Sequence, residues 1–330
     1  YSRWNLWLTK QFSLHSIIGF DNKFLKDVIK DENFYLSFTN EFELYAGFNR
    51  EDDKFLKKIY KKTKKVFSQV NETYNLRESS IDALLVSKII EARDFSEIID
   101  KFTRRLKDGL TVFEQDNIEE ELINELGIDD TNSDVKSKQI KLLNDSAESL
   151  EGCLAILGKV YKNIDDITDV DLVYEIFDYI IDNAILWSFK LIDEFKDIDI
   201  SEFFKGEKEA DAKNILKIIT NFIPTLVQVR LNEMIGHNNL ERIIIERLDI
   251  AKKDANNNQF KIFILSFLLT DINLDKHKKI LEEGIPLIKI PIIKYSFILK
   301  MNYYLGFKCN GNNELKKILQ NNIQNQYLKS

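Results

Sequence analysis

The chain has 330 residues, of which 44% are hydrophobic and 31% are charged, and its formal net charge is −7. This balance excludes a disordered chain, which lacks apolar residues, and a membrane-embedded chain, which lacks charged ones. Only 11 glycines and 3 prolines occur, whereas β-sandwiches and doubly wound α/β folds need both at their many turns. The composition therefore predicts an all-α protein: a long-helix bundle followed by short antiparallel helical hairpins, like an irregular α-solenoid.

The charge is distributed unevenly along the chain. Residues 1–111 carry +3, residues 112–211 carry −18 and residues 212–330 carry +8. An acidic middle between basic ends indicates either self-complementary packing or a basic surface for an acidic partner. No apolar run is long enough for a membrane span and no signal-peptide pattern opens the chain, which predicts a soluble, cytoplasmic protein without membrane contact. The chain starts at Tyr1 without a methionine, which is consistent with further residues before it.

Two stretches near the N-terminus leave alternatives open. Trp4 and Trp7 lie one helical turn apart, which predicts either a core or interdomain contact or a hot spot for a protein partner. Hydrophobic residues alternate with other residues over 34–48, on both sides of Thr39-Asn40. This pattern is typical of a small β-hairpin, although a helix fits the same stretch equally well.

Residues 51–75 are predicted to form a strongly basic helix. Seven lysines and no arginine occur between positions 54 and 65. One interpretation is a solvated helix face or a partner for the acidic middle of the chain. The other is a nucleic-acid-binding surface that follows a phosphate backbone, for which the candidate residues are Lys57, Lys58, Lys61, Lys62 and Lys65.

A polar stretch without periodicity, residues 129–134, is the best candidate for a domain boundary. It divides the chain into an N-terminal helical domain, 1–128, with the basic helix and the candidate hairpin, and a helical bundle or solenoid-like domain, 129–330. In the second domain we predict long helices capped by Ser133 and Thr168. A third runs over Glu207–Gly236, kinked or split at Pro224. Shorter helices follow at Leu240–Asp254, Phe260–Leu269, Asp275–Glu283, Pro286–Leu305 and Asn313–Gln326.

Arg230 and His237 are separated by six residues at the end of a predicted helix. This Arg-x6-His arrangement resembles the signature of HEPN ribonucleases, a family of helical bundles that cleave RNA without a metal. The resemblance implies that these two residues are catalytic, act on the scissile phosphate and belong to a site formed by paired subunits. Imidazole transfers protons near neutral pH, and guanidinium binds phosphate. Alternatively, His237 caps the end of the helix beside a surface arginine.

Asp165-Asp166-Ile-Thr-Asp169 resembles the aspartate-rich DDxxD box of class I terpene and prenyl synthases, in which carboxylates hold magnesium and a diphosphate. A second metal motif of that family is missing downstream. The sequence also lacks His-x-x-x-His, Cys-x-x-Cys and P-loop patterns. We therefore predict neither a metal nor a cofactor.

Two functions remain for the chain at this level. The first is a helical protein-interaction, regulatory or scaffold module that binds a protein partner or associates with itself. The alternative is a metal-independent HEPN-type ribonuclease that uses Arg230 and His237. Whether the chain is an enzyme stays open.

Overall fold

The computed structural model describes residues 28–31, 35–74, 146–164, 167, 169–197, 209–309, 313, 315–317 and 319–321. The α-helices in these ranges are α1 (Thr39–Phe48), α2 (Asp53–Tyr74), α3 (Ala147–Asn163), α4 (Val170–Asp197), α5 (Glu209–Ile235), α6 (Glu241–Lys253), α7 (Gln259–Ile272), α8 (Leu274–Gly284) and α9 (Pro291–Phe307). Short 3-10 turns occur at Tyr35–Phe38, Asn238–Leu240, Ala255–Asn257 and Ile285–Leu287. No strand occurs within these ranges, and the all-α prediction is confirmed.

The β-hairpin predicted as one alternative for residues 34–48 is wrong. A 3-10 turn leads directly into α1, in which Phe42, Tyr45 and Ala46 are buried. These three positions are spaced i, i+3 and i+4, so they share one face of a helix. Over this short stretch the hydrophobic residues fit the two-residue period of a strand as well as the period of a helix. The helix forms here because its buried face packs against α3.

Helix α3 is the centre of the first part of the fold, because it packs against α1, α2, α4 and α5. Two glycines allow these close contacts. A Cβ atom at Gly152 would lie 2.9 Å from a methyl carbon of Leu36, and one at Gly158 would lie 2.8 Å from the Cβ atom of Met234. Both glycines therefore let a neighbouring segment approach α3 more closely than any other residue would allow.

The helix starts differ from the predicted ones. α3 begins at Ala147, and the Ser146 hydroxyl accepts a hydrogen bond from the backbone N–H of Ser149 at 3.3 Å. The long helix predicted from Ser133 therefore does not run through residue 146, where the backbone is extended. Asp169 caps α4, since its carboxylate accepts from the N–H of Leu172 at 3.1 Å. Thr168, the predicted cap, lies outside the described residues. Sequence spacing located these starts only approximately, because several polar residues compete for each cap.

Helix α5 runs without interruption through Pro224, so the predicted split of this helix is wrong. Proline removes one backbone hydrogen bond from a helix, but the buried residues Ile223 and Val227 lie on either side of it. The helix ends where predicted, before Gly236. A Cβ atom at Gly236 would lie only 2.4 Å from the carbonyl oxygen of Asn232, so this turn requires a glycine.

Helices α6, α7 and α8 follow one another in space as well as in sequence, and α7 packs against both α6 and α8 and against α5. Of the 14 residues in α7, only Lys261, Asp271 and Ile272 are not buried. A helix that is apolar on all sides is typical of the interior of a domain. Helix α7 is therefore the core around which this part of the fold is built.

The chain forms two compact units, residues 1–90 with 141–296 and residues 91–140 with 297–330. The features described below belong to the first unit. The predicted domain boundary at residues 128 and 129 lies outside the described residues and stays a prediction. Helix α9 confirms part of the predicted Pro286–Leu305 helix, although its first residues form a separate 3-10 turn.

Candidate functional site

A groove lies between one face of α4 and one face of α6. On α4 the lining residues recur at helical spacing, and they are Val170, Val173, Tyr174, Phe177, Asp178, Ile181 and Asp182. On α6 they also recur once per turn, and they are Arg242, Ile243, Arg247, Ile250 and Ala251. We call this feature the α4–α6 groove. It contains two separate depressions.

The first depression, the Val170 cavity, has a volume of about 310 Å³. Its walls are mainly apolar and come from the end of α3, the start of α4 and the start of α6. Val170 is 60% exposed, which is high for a valine beside other apolar side chains. Ile243 faces it from α6, and Ile164 and Leu240 are buried beneath.

The second depression, the Ile250 cavity, has a volume of about 200 Å³ and lies farther along the same two helices. Ile250 is 51% exposed, and Phe177, Ile181 and Leu265 form the buried floor. Its rim is charged. Lys261 of α7 reaches Asp182 of α4, with 2.7 Å between the ammonium nitrogen and a carboxylate oxygen.

Polar contacts cross the groove between the two cavities. The hydroxyl of Tyr174 donates a short hydrogen bond to the carboxylate of Glu246, which also accepts from Nε of Arg242 at 2.9 Å. Arg247 donates to Asp178 at 2.5 Å, and its guanidinium lies 4.7 Å from the centre of the Tyr174 ring. These contacts hold α6 at a fixed distance from α4 and keep the cavities apart.

The crossing contacts shift the proton affinities of both carboxylates. The hydrogen bond from Tyr174, followed by that from Arg242, lowers the pKa of Glu246. Burial raises the pKa of Asp178, and the neighbouring Arg247 only partly offsets this effect. Glu246 is therefore stabilised in its charged form. Asp178 loses contact with water where it pairs with Arg247, and this loss favours its neutral form.

Arg230 and His237 lie at the end of α5, and no hydrogen bond or ion pair joins the two side chains. The Arg230 guanidinium donates to Glu233 at 2.8 Å and lies 3.8 Å from Glu151. Two carboxylates therefore share the charge that would hold a phosphate. The hydrogen bond to Glu233 contributes most to the raised pKa of Arg230.

His237 is exposed and caps the 3-10 turn that follows α5. Its Nδ1 atom lies 2.7 Å from Oδ1 of Asn239 and 3.5 Å from the backbone nitrogen of the same residue. Asn239 in turn donates to the carbonyl oxygen of Lys162 at 2.8 Å. A protonated Nδ1 would donate to Oδ1, whereas an unprotonated Nδ1 would accept from the backbone N–H, so the two contacts belong to different protonation forms of the ring.

The five lysines predicted to bind nucleic acid lie on α2 but have different surroundings. Lys57 is 3.1 Å from Asp53 and 3.6 Å from Asp169 of α4. Lys62 is only partly exposed, and its ammonium lies 5.0 Å from the centre of the Tyr35 ring. Lys58, Lys61 and Lys65 are exposed. An exposed lysine that the prediction left out, Lys54, lies on the same helix face as these three.

Other predicted features carry no site geometry. Trp4, Trp7, Asp165 and Asp166 lie outside the described residues. Asp169, the last residue of the DDxxD pattern, caps α4. Within the described ranges no group of three or more His, Cys, Asp and Glu side chains is placed to hold a metal ion, and no helix combines the length and apolarity that crossing a bilayer requires.

The sequence pattern missed the buried histidine of α8. His277 is only 6% exposed, and its Nε2 atom lies 3.0 Å from Glu241 at the start of α6. Lys276 also contacts this carboxylate. The two segments are 36 residues apart, so no local pattern links them. The α4–α6 groove was missed for the same reason, since α4 and α6 are separated by the whole of α5.

Comparisons with protein-family models, with curated proteins and with solved structures gave no match. The functional conclusion therefore rests on the geometry of the chain itself.

Proposed function

We propose that the chain is a helical protein-interaction module whose α4–α6 groove binds an amphipathic helix of a protein partner. The observation that carries this proposal is the pair of exposed apolar side chains, Val170 and Ile250, in two cavities of one groove. An exposed aliphatic residue alone is ordinary on a protein surface. Two of them, one at a mainly apolar cavity and one at a cavity with an apolar floor and a charged rim, mark a surface that a partner would cover.

The spacing of the cavities favours a helix as the bound element. Ile243 in the first cavity and Ile250 in the second are seven residues apart on α6, which corresponds to roughly 10 Å along a helix. A partner helix that runs along the groove would therefore place apolar side chains at positions i and i+7 into the two cavities. Its residues in between would pass over the polar crossing at Tyr174 and Glu246, where hydrogen-bonding side chains fit best.

The chemistry of the groove fits binding better than catalysis. Arg247, Asp178 and Glu246 are each engaged by another side chain of the groove. None of its lining residues is a serine, threonine or cysteine. Cys153 is buried in α3, and burial raises the pKa of its thiol to about 12, so the reactive thiolate does not form at neutral pH.

A selection experiment tests this function. The intact chain would be used to select helical peptides from a displayed library, and the enriched sequences should share two apolar positions seven residues apart. Two variants, Val170→Asp and Ile250→Lys, should each abolish binding of the selected peptides. Both are expected to fold, because an acidic residue suits the start of α4 and a basic one suits the end of α6.

Phe48→Asp provides the matched control. Phe48 is 48% exposed, comparable to Ile250, but lies on α1 outside the groove. This variant should bind the selected peptides as tightly as the unchanged chain. Enrichment that survives both groove variants, or no enrichment at all, would contradict the proposal. If the groove variants instead convert a dimer into a monomer in sedimentation experiments, the bound helix comes from a second copy of the chain.

The HEPN-type ribonuclease remains the alternative function. The exposure of His237 supports it, since an imidazole at the surface is accessible to a substrate and can act as a general base. The ion pairs of Arg230 with Glu233 and Glu151 weigh against it. Cleavage of RNA that is lost in His237→Ala but kept in Lys279→Ala, an exposed position on α8, would establish this function. RNA that stays intact with the unchanged chain would remove it.

A further inference from the structure

We infer that the outer face of α2 binds the phosphate backbone of a nucleic-acid duplex through four lysines. This face carries Lys54, Lys58, Lys61 and Lys65, which we call the lysine row. All four side chains are exposed. The inference is independent of the α4–α6 groove and concerns a different surface of the first unit.

The lysine row is straight and narrow. Its members are separated by four, three and four residues, which places them within an arc of roughly 60° on the helix and spreads them over about 16 Å along its axis. Glu51 precedes the row and Glu72 follows it, and both are exposed. The cationic stretch is therefore limited to about three turns of α2.

The neighbouring lysines of α2 show that the row points away from α4 and from the turn at Tyr35. On one side, Lys57 contacts Asp169, which caps α4, and Lys64 lies 3.4 Å from Glu175 of α4. On the other side, Lys62 lies over the Tyr35 ring. In contrast, Lys54, Lys58 and Lys61 have no hydrogen bond or ion pair with any described residue. Among the described residues, the flanking lysines contact other parts of the fold, whereas these three have no partner and can bind an external anion.

The surroundings of the row favour a phosphate backbone over an acidic protein segment. An exposed lysine–carboxylate pair contributes little to binding, so a protein segment would also need apolar contacts. The exposed residues next to the row on α2, Ser68, Gln69 and Thr73, are polar. A nucleic acid needs no such contacts, since the release of its condensed counterions drives binding. The net charge of the chain is −7, so the attraction has to come from a local cluster of lysines such as this row.

A duplex fits better than a single strand. Single-stranded nucleic acids bind strongly where exposed aromatic rings stack on the bases. The aromatic side chains of α2 between Asp53 and Thr73 are Phe55, Tyr60 and Phe67, and all three are buried. The lysine row therefore offers charge without a stacking platform, which suits contacts to phosphates alone.

Fluorescence anisotropy with a 20-base-pair DNA duplex of arbitrary sequence tests the inference on the intact chain. If all four lysines contact phosphates, the logarithm of the binding constant should fall with the logarithm of the salt concentration with a slope of roughly −3 to −4, since each contact contributes about 0.9. The double variant Lys58→Gln with Lys61→Gln should reduce the slope to roughly −2. It should also weaken binding at least tenfold at low salt.

The matched control is the double variant Lys253→Gln with Lys279→Gln. These two lysines are also exposed and lack partners among the described residues, but they lie on α6 and α8. The control changes the net charge equally and should leave the slope unchanged. Equal weakening by both double variants, absence of duplex binding, or tighter binding of poly-glutamate or of anionic vesicles than of the duplex would each overturn the inference.

Discussion

In the α4–α6 groove charged side chains meet one another, whereas in the lysine row they face solvent. Arg247 reaches Asp178, and Lys261 reaches Asp182, both across the gap between helices. Lys54, Lys58 and Lys61 have no such partner among the described residues. Charged side chains therefore have different roles on the two surfaces. In the groove charged side chains join the two helices beside the cavities, whereas Lys54, Lys58 and Lys61 are the ones that we propose bind a partner.

The largest expected effect comes from the interior that supports the groove. Phe263 of α7 is fully buried, and its ring centre lies 5.3 Å from that of Phe267. We expect Phe263→Ala to lower the free energy of unfolding by about 3–5 kcal/mol, because it leaves a cavity in a packed core. Urea unfolding followed by circular dichroism measures this loss. Phe48→Ala, at an exposed site, should cost less than about 1 kcal/mol, and equal losses would contradict the assignment of α7 as the core.

A smaller loss of stability distinguishes Arg247, which has a partner in the groove, from Lys58, which has none among the described residues. Arg247→Ala removes the contacts of a guanidinium that is only 23% exposed and leaves Asp178 without this partner. We expect a loss of about 1–3 kcal/mol in the free energy of unfolding. Lys58→Ala, in the lysine row, should change it by no more than about 0.5 kcal/mol. If Lys58→Ala proves as costly as Arg247→Ala, the lysine row is part of the fold and does not await a partner.

The smallest effect is a pH dependence with opposite signs at two acids of the groove. The pKa of Glu246 is lowered in the folded chain, so its carboxylate stabilises the fold above its ordinary pKa and loses this contribution as the pH falls through the lowered value. The pKa of Asp178 is raised, so the fold gains stability as this acid becomes protonated on acidification.

Unfolding of Glu246→Gln and Asp178→Asn between pH 7 and pH 3 checks these signs. At neutral pH the free energy of unfolding of Glu246→Gln should lie furthest below that of the unchanged chain. In acid the two values should become similar. Asp178→Asn should show the reverse trend, since the unchanged chain gains stability there as its carboxyl takes up a proton. Trends of the same sign in both variants would mean that the two acids do not differ as described.

Much of the helical architecture could be predicted from the sequence. The scarcity of glycine and proline predicted an all-α chain, and apolar periodicity located α2, α4 and α5 to within a few residues. The errors concern places where local signals conflict. Residues 35–48 fit both a strand and a helix, and Pro224 argued for a break that the packing of α5 overrides. Contacts between distant segments decided both cases.

The candidate sites were predicted less well. Lys58, Lys61 and Lys65 were recognised from the run of lysines, but the sequence grouped them with Lys57 and Lys62, whose contacts with Asp169 and Tyr35 come from other segments. The interaction-module and ribonuclease functions stay predictions, as does the role of Trp4 and Trp7, which lie outside the described residues. No sequence pattern indicated the α4–α6 groove, because each of its two walls has the residue spacing of an ordinary helix face.

The sequence by itself determined that the chain folds into helices and which face of each helix is apolar, since both follow from residue spacing along one segment. It also placed seven lysines on one helix. Only the tertiary structure decided which lysines are engaged and which are free, and where two apolar faces leave a gap. Those properties depend on which distant segment packs beside each helix, and packing of that kind is set by the fit of whole surfaces rather than by a local pattern.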